Sequence, residues 1–524
     1  MQLKNPILPG FYPDPSICRR GDDLYMVTST FEYFPGVPVF HSRDMVHWRQ
    51  IGHCLTRSEQ LNLDGVAPSR GIYAPTIRYH EGKKRFYMIT TLVQDTTYAN
   101  NINFFVTATD PAGPWSDPVV IEGAEGIDPT LFFDDDQAYY LGNMRPHPEK
   151  ADCTDRWIWL QPMDLETGKL TGEKQILLRD GAFRGAATPE GPHLYHIGEW
   201  YYLMIAEGGT SWNHAETIFR SHSLQGPWES NPRNPLITHR HLSKGAAIDS
   251  TGHADLIQLP NGEWWAVLLA CRPWEGKWRM LGRETFAVPV VWEDGWPVFS
   301  PSTGCVEQEY PAPVFPSCVW KDAPARDDFD HPALRLCWNT LRTPRSAWYS
   351  LTERPGWLRL TMRPVRLGDN GNPSLLLRRV QHHCYQAVTH MDFTHGTPGE
   401  AGIVLMMNEE HYIALLRRDS EVCILRRNGK HCKTIGALPC TVRALDLRVE
   451  CCCTAVRCFM CIPGETWQLI GAEVDSTCLT VESAGGFTGA YVGLFAFAPE
   501  TTEEQHVDFN WFDYRALHVQ KSDC

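Results

Sequence analysis

One pattern recurs five times in the first 300 residues and limits what the chain can fold into. Each copy has a proline or small residue, an apolar pair, a polar turn, and adjacent aromatics that open a second apolar run. The copies are "PDPSICRRGDDLYMVTST", "YAPTIRYHEGKKRFYMITT", "IDPTLFFDDDQAYYLGN", "EGPHLYHIGEWYYLMIAEG" and "GHADLIQLPNGEWWAVLLA". Anchored on Pro15, Pro75, Pro129, Pro192 and Ala254, they are 60, 54, 63 and 62 residues apart. Each reads as two strands joined by a tight turn, and Trp48, Trp115 and Trp228 close further turns inside three of the units. A unit of this length with four short strands is a propeller blade, so five units predict a five-bladed β-propeller over residues 1–300. A long β-sandwich with chance self-similarity is the competing reading.

Beyond Trp296 the repeat stops. Residues 301–325 fall in a proline-rich stretch, "SPSTGCVEQEYPAPVFPSCVWKDAPA", that reads as a linker along the surface. From 326 to 524, alternating segments such as "WLRLTMRP", "YIALLRRD" and "HVDFNWFDYRAL" predict an antiparallel β-sandwich of jelly-roll type. The expected fold class is therefore all-β: a propeller followed by a sandwich.

The repeat also sorts the acids. Asp14 precedes Pro15 as Asp128 precedes Pro129, and Glu190 stands two before Pro192, with Gly191 between. Ala74 and His253 hold the remaining two equivalent positions. Acids beside prolines usually cap turns. Acids at one blade position are instead brought together at the axis. Convergent carboxylates can bind a metal, hydrolyse a glycosidic bond, or form structural salt bridges. Calcium sites of the EF-hand kind gather their acids in one loop. The only such run, Asp134-Asp135-Asp136, falls on a predicted hairpin tip. Glycoside hydrolysis needs a protonated acid and an opposed carboxylate, which in inverting enzymes stand roughly 6.5–9.5 Å apart so that water fits between. A third carboxylate nearby would raise the acid's pKa by repulsion.

The net charge of −14, with no basic stripe, argues against nucleic-acid binding. No run reaches the roughly 18 apolar residues of a membrane span. The opening "MQLKNPILPGF" shows no export signal, so a cytoplasmic location is expected. The 18 cysteines include the consecutive Cys451, Cys452 and Cys453 and a lone C-x-x-C, Cys458 to Cys461. They read as reduced, buried thiols rather than a disulfide framework or a zinc finger.

Several stretches carry a resemblance: "NPILPGFYPDPSI", "STFEYFPGVPVFHSRDMVHW", "GIYAPTIRY", "IDPTLF", "PEGPHLY", "AEGGTSWNHAETIFRS", "STGHADL" and "LGRETFAVPVVWEDGWPV". Together they resemble family 43 of the glycoside hydrolases, in its β-xylosidase branch. "DDFDHPAL", "GFTGAYVGL" and "VDFNWFDY" resemble that branch's C-terminal concanavalin-like sandwich. The resemblance implies an inverting exo-acting enzyme that releases terminal β-D-xylose from β-1,4-xylo-oligosaccharides. Asp14 matches the general base, Glu190 the general acid, and Asp128 the carboxylate that tunes and holds that acid. Arg283 and Phe31 match sugar contacts, Ala74 and Thr210 join them as substrate-contact candidates, and Phe487 matches an aromatic that the sandwich lends to the pocket. His253 matches a channel histidine that in many relatives holds a structural calcium ion; no cofactor is implied for the chemistry. Tyr73 stands where the family commonly has Trp, which leaves the sugar preference open. An α-L-arabinofuranosidase, or an enzyme with both activities, is the alternative. A non-catalytic sugar-binding propeller is more distant, because binding alone does not call for three channel acids. The partner expected is a small oligosaccharide, and the resemblance implies a homo-oligomer, dimer or tetramer.

Overall fold

The strands opened by paired aromatics are apolar along almost their whole length. In "WWAVLLAC" (Trp264–Cys271) every residue after the first is buried, and "RFYMITTLV" (Arg85–Val93) behaves alike. Such a run fits a sheet covered on both faces rather than one with a wet side. In the computed structural model, which describes residues 1–517 except 99, 148, 151–153, 322, 394–397 and 501–503, neighbouring sheets do the covering.

Each repeat forms an antiparallel sheet. The first runs in chain order through Ser16–Arg20, Asp23–Val27, Gly36–Ser42 and Arg49–Leu55. The other four open with Thr76–His80, Thr130–Asp134, Glu190–Ile197 and Asp249–Gln258. Each opening strand packs on the next and the last packs on the first, which closes a ring of five blades. Apolar layers fill the spaces between blades. Phe132, Leu141, Leu194, Leu203 and Phe219 form one of them. Tyr87, Ile89, Leu131, Tyr140 and Trp159 form another. The Asp134–Gln137 hairpin places Asp135 and Asp136 at its turn.

The residue that follows each repeat anchor builds a polar plug at the axis. Asp255, fully buried, accepts hydrogen bonds from Ser16 Oγ (2.7 Å), Ile17 N (3.0 Å), Tyr195 OH (2.8 Å), Arg78 Nη1 (2.8 Å) and Arg78 Nη2 (3.2 Å). Arg78 Nη2 also donates to His193 Nδ1 at 2.8 Å, and Thr130 Oγ1 stands 3.2 Å from that nitrogen and 3.0 Å from Thr76 Oγ1. Ser16, Thr76, Thr130, His193 and Asp255 thus supply one member per blade. Burial alone would raise the Asp255 carboxyl, but Arg78, His193 and these hydrogen bonds hold it well below the usual carboxylate range. Dehydration, with the Arg78 cation alongside, pushes His193 down to about 3, so its ring is neutral with Nδ1 as acceptor.

The chain divides into two compact units, one of residues 1–61, 70–276 and 283–320, the other of 62–69, 277–282 and 321–524. In the first, Gln2–Lys4 pairs with Glu309–Pro311, and Trp320 Nε1 donates to His47 O at 3.2 Å, so the proline-rich stretch is packed as far as Trp320. The second unit has two antiparallel sheets. One orders Leu358–Thr361, His506–Ala516, Cys384–Asp392, Ala444–Cys452 and Ala455–Cys461; the other orders His431–Pro439, Glu421–Asn428, His411–Arg418, Glu400–Asn408, Tyr491–Phe497 and Ser374–Arg379. Ala444–Cys452 alternates strictly between partly open and buried, as a strand with one core face must. Ile403, Leu415, Leu447, Val449, Leu494 and Phe509 belong to the core enclosed between the sheets. No helix among the described residues is long and apolar enough to cross a membrane.

Candidate active site

Asp14 and Asp128 sit where the chain turns into the opening strands of their blades, in a backbone conformation that side chains seldom adopt. Asp14 and Asp128 both have φ of 54°, Gly191 57° and His253 53°, so four of the five repeat-equivalent positions are left-handed. Ala74 is the exception. Non-glycine residues in that region cost about 1 kcal/mol or more and persist where the surroundings over-determine them. Glycine at 191 is also steric. A Cβ there would meet the His253 ring at 3.0–3.2 Å. The carboxylate of the fourth blade therefore comes from the preceding residue, Glu190, where the strand pairing shifts register.

Asp14 is buried and held from both sides. Ser29 Oγ donates to Oδ2 at 2.6 Å, and Arg283 Nη1 donates to Oδ1 at 2.8 Å. Arg283 is itself placed, with Nη1 3.3 Å from Thr210 Oγ1 and its guanidinium 5.4 Å from the Phe31 ring centre. Asp128 is buried too. Dehydration first, then the Glu190 and Asp14 charges, push its carboxyl well above the ordinary value, against Arg283 and a hydrogen bond from Gly191 N. Glu190 keeps an edge open to solvent, yet protein crowds its carboxyl enough for dehydration to dominate, and its pKa rises to about 7. Arg156 pulls it down most, Asp14 pushes it up, and Arg283 pulls it down slightly. Glu190 and Asp128 cannot both carry charge in this space, so near neutral pH the pair retains a proton.

An aromatic wall adjoins the acids. The Phe31 and Tyr73 ring centres are 4.9 Å apart, with Phe11 behind Phe31 at 5.7 Å. Arg70 Nη1 donates to Tyr73 OH at 2.8 Å, and Tyr98 stands beyond at 3.5 Å, with Arg70 and Arg145 against its ring at 5.2 and 5.1 Å. Ala74 is buried next to Tyr73. Asp14, Phe31, Thr210 and Arg283 are thus linked by direct contacts, Tyr73 joins through Phe31, and Asp128 and Glu190 join through their fields. Phe487 belongs to the other unit, where its N–H donates to Ser69 Oγ at 2.9 Å.

Ser29, Arg156, Arg70 and Tyr98 went unmarked in the sequence. Ser29 is 15 residues from its partner Asp14, in "TSTFEYF", and no repeat position flags it. Arg156 lies outside the repeated segments altogether.

His253 is buried and held neutral by dehydration. Calcium takes six to eight oxygen ligands. Among the described residues, no group of three His, Cys, Asp or Glu ligand atoms includes His253.

Two family models match the chain. "Glycosyl hydrolases family 43" covers residues 3–297 and "Beta xylosidase C-terminal Concanavalin A-like domain" residues 326–515. The chain belongs to glycosyl hydrolase family 43. A relative from Butyrivibrio fibrisolvens, named a xylosidase/arabinosidase, is 42% identical over 97% of this chain and 98% of its own. A non-reducing end alpha-L-arabinofuranosidase of Bacteroides ovatus is 40% identical over 98% and 95%. The crystal structure of a xylan beta-1,4-xylosidase from Bacillus halodurans superposes with a TM-score of 0.91 at 36% identity, covering 98% of this chain and all of that one. As a family 43 protein the chain is a glycosidase acting on carbohydrate, built as the all-β propeller and concanavalin-like sandwich that its repeats predict.

Proposed function

We propose that the protein is an inverting exo-glycosidase that removes terminal β-D-xylose from short β-1,4-xylo-oligosaccharides, with α-L-arabinofuranosides as second substrates. The observation that carries this reading is the division of labour among the acids. Asp14, clamped by Arg283 and Ser29, is fixed as an acceptor, while Glu190, with a pKa near 7, keeps a proton available at neutral pH. A water held by Asp14 attacks the anomeric carbon and gives its proton to that carboxylate. The glycosidic C–O bond breaks as Glu190 protonates the departing oxygen, so the configuration inverts. Asp128, next to Glu190, takes part in holding the shared proton. Arg283 and the Phe31–Tyr73 wall orient the sugar.

Proton NMR of the sugar first released from a β-xyloside tests the reading. The α anomer is expected, and initial β-xylose overturns the roles of Asp14 and Glu190. The arabinofuranoside activity is favoured by the names of the two relatives at 42% and 40% identity. Rates on nitrophenyl β-xyloside and nitrophenyl α-arabinofuranoside measure the balance. Acid and base supply the chemistry, so a calcium ion at His253 would be structural and largely water-held. Exhaustive chelation leaves the anomeric outcome unchanged, and the melting temperature reads any loss of the ion. The working state is a homo-oligomer, dimer or tetramer, checked by light scattering. All 16 described cysteines lie outside disulfides, which supports residence in a reducing compartment such as the cytoplasm.

A further inference from the structure

The sandwich holds a cluster of thiols that the hydrolytic site does not use. Cys384 opens the strand Cys384–Asp392 and stands directly opposite Cys452, the last residue of Ala444–Cys452. Cys453 follows in the turn before Ala455–Cys461, with φ of 59° and its N–H donating to His383 O at 2.9 Å. That left-handed step folds its side chain back beside the other two. The sulfurs are 2.8 Å apart for Cys384 and Cys452, 3.4 Å for Cys384 and Cys453, and 3.8 Å for Cys452 and Cys453. Among the described residues this is the one group of three metal-ligating side chains drawn to a point. The C-x-x-C pair that spacing alone would single out, Cys458 and Cys461, is not part of it.

We propose that Cys384, Cys452 and Cys453 form a binding site for one soft, thiolate-preferring cation, Cu⁺ or Zn²⁺. A disulfide would use two of the sulfurs and leave the third unexplained, whereas a cation uses all three. Metal–sulfur bonds of about 2.3 Å around a tetrahedral centre put the sulfurs about 3.8 Å apart. The Cys452–Cys453 edge already has that length, and rotation of the Cys384 side chain opens the other two without moving the ladder that fixes its backbone. Thiolate sulfur selects Cu⁺ and Zn²⁺ over hard cations. Zinc would take water as its fourth ligand. Cys453 is buried while Cys384 and Cys452 are partly open, which leaves a path for the ion. Binding requires the thiols to ionise and therefore releases protons. The bound ion would tie the ends of two paired strands to the turn that follows them.

The full-length protein, reduced and freed of metal under nitrogen, is titrated separately with Cu⁺ and with Cd²⁺, the latter as a spectroscopic substitute for Zn²⁺. One equivalent per chain should bind in at least one titration, with an ultraviolet thiolate-to-metal charge-transfer band and a matching mass increase in native mass spectrometry. Cys384→Ser and Cys453→Ser should each weaken that binding at least tenfold, while substitution of the exposed Cys432 with Ser leaves it unchanged. Which ion gives the one-equivalent complex distinguishes copper from zinc. Alkylation followed by peptide mapping needs no variant: the bound ion should protect Cys384, Cys452 and Cys453 together. Absence of binding to the wild type, equal binding by the variants, or a Cys384–Cys452 disulfide that survives reductant overturns the proposal.

Discussion

On the proposed role of Glu190 as general acid, its protonation should set the alkaline side of the activity profile. A glutamic acid at its ordinary value of 4.5 would be protonated in about 0.3% of molecules at pH 7, against about half at a pKa of about 7. Burial thus enriches the protonated form of Glu190 more than a hundredfold at neutral pH. Above pH 7, kcat/KM on an alkyl or unactivated aryl β-xyloside should fall towards tenfold per pH unit, reaching about 2% of its pH 7 value by pH 9. Glu190→Ala should lower kcat/KM on that substrate by about 10²–10⁴-fold and on a dinitrophenyl xyloside far less, because an activated leaving group needs no proton. On the activated substrate the variant should also lose the alkaline limb. Arg156→Gln provides the sign test. Arg156 is a cation that favours ionised Glu190, so its removal should move the limb to higher pH. The assay is initial rate against pH on both substrates for the three proteins. An alkaline limb that survives Glu190→Ala, or one that moves down in Arg156→Gln, refutes the assignment.

Arg283→Ala removes the donor that fixes Asp14 Oδ1 at 2.8 Å and should lower kcat/KM about 10²-fold, as loss of positioning does, read on nitrophenyl xyloside with the melting temperature as a folding control. Asp255→Ala leaves the partly buried Arg78 cation without its carboxylate and should destabilise the propeller by about 3–5 kcal/mol, followed by urea unfolding; a change below 1 kcal/mol would show that the blades hold without the plug. His193 is folded with a pKa of about 3, below its ordinary 6.5, so its contribution is complete above pH 6.5 and declines as pH falls towards 3. Between pH 6.5 and 4 the loss should be about 3 kcal/mol, and His193→Gln should flatten that part of the stability profile. An unchanged slope in the variant would place the acid sensitivity elsewhere.

The blades could be read from the chain because their spacing and paired aromatics repeat, and a repeat forces equivalent residues to equivalent places. Asp14, Asp128 and Glu190 were legible for that reason, as was the tip position of Asp135 and Asp136. The axial plug was present in the same alignment, one residue beyond each anchor. Ser16, Thr76, Thr130, His193 and Asp255 differ chemically, however, and only their meeting at Asp255 and Arg78 makes them a set. The repulsion expected from Asp128 on Glu190 also looked different in three dimensions. Dehydration is the larger cause, and the surrounding charge on Glu190 is a balance of Arg156, Asp14 and Arg283.

By itself, the sequence determined the five-fold repeat, the all-β class and the placing of Asp14, Asp128 and Glu190 at or beside one repeat position. Periodicity and local backbone preference act over a few residues and need no knowledge of distant partners. Tertiary structure alone decided which acid is clamped and which keeps its proton, because those states depend on dehydration and on charges such as Arg283 and Arg156, distant in sequence. It likewise decided that Cys384 meets Cys452 and Cys453 across 68 and 69 residues of chain, since strand register, not spacing, brings those sulfurs together.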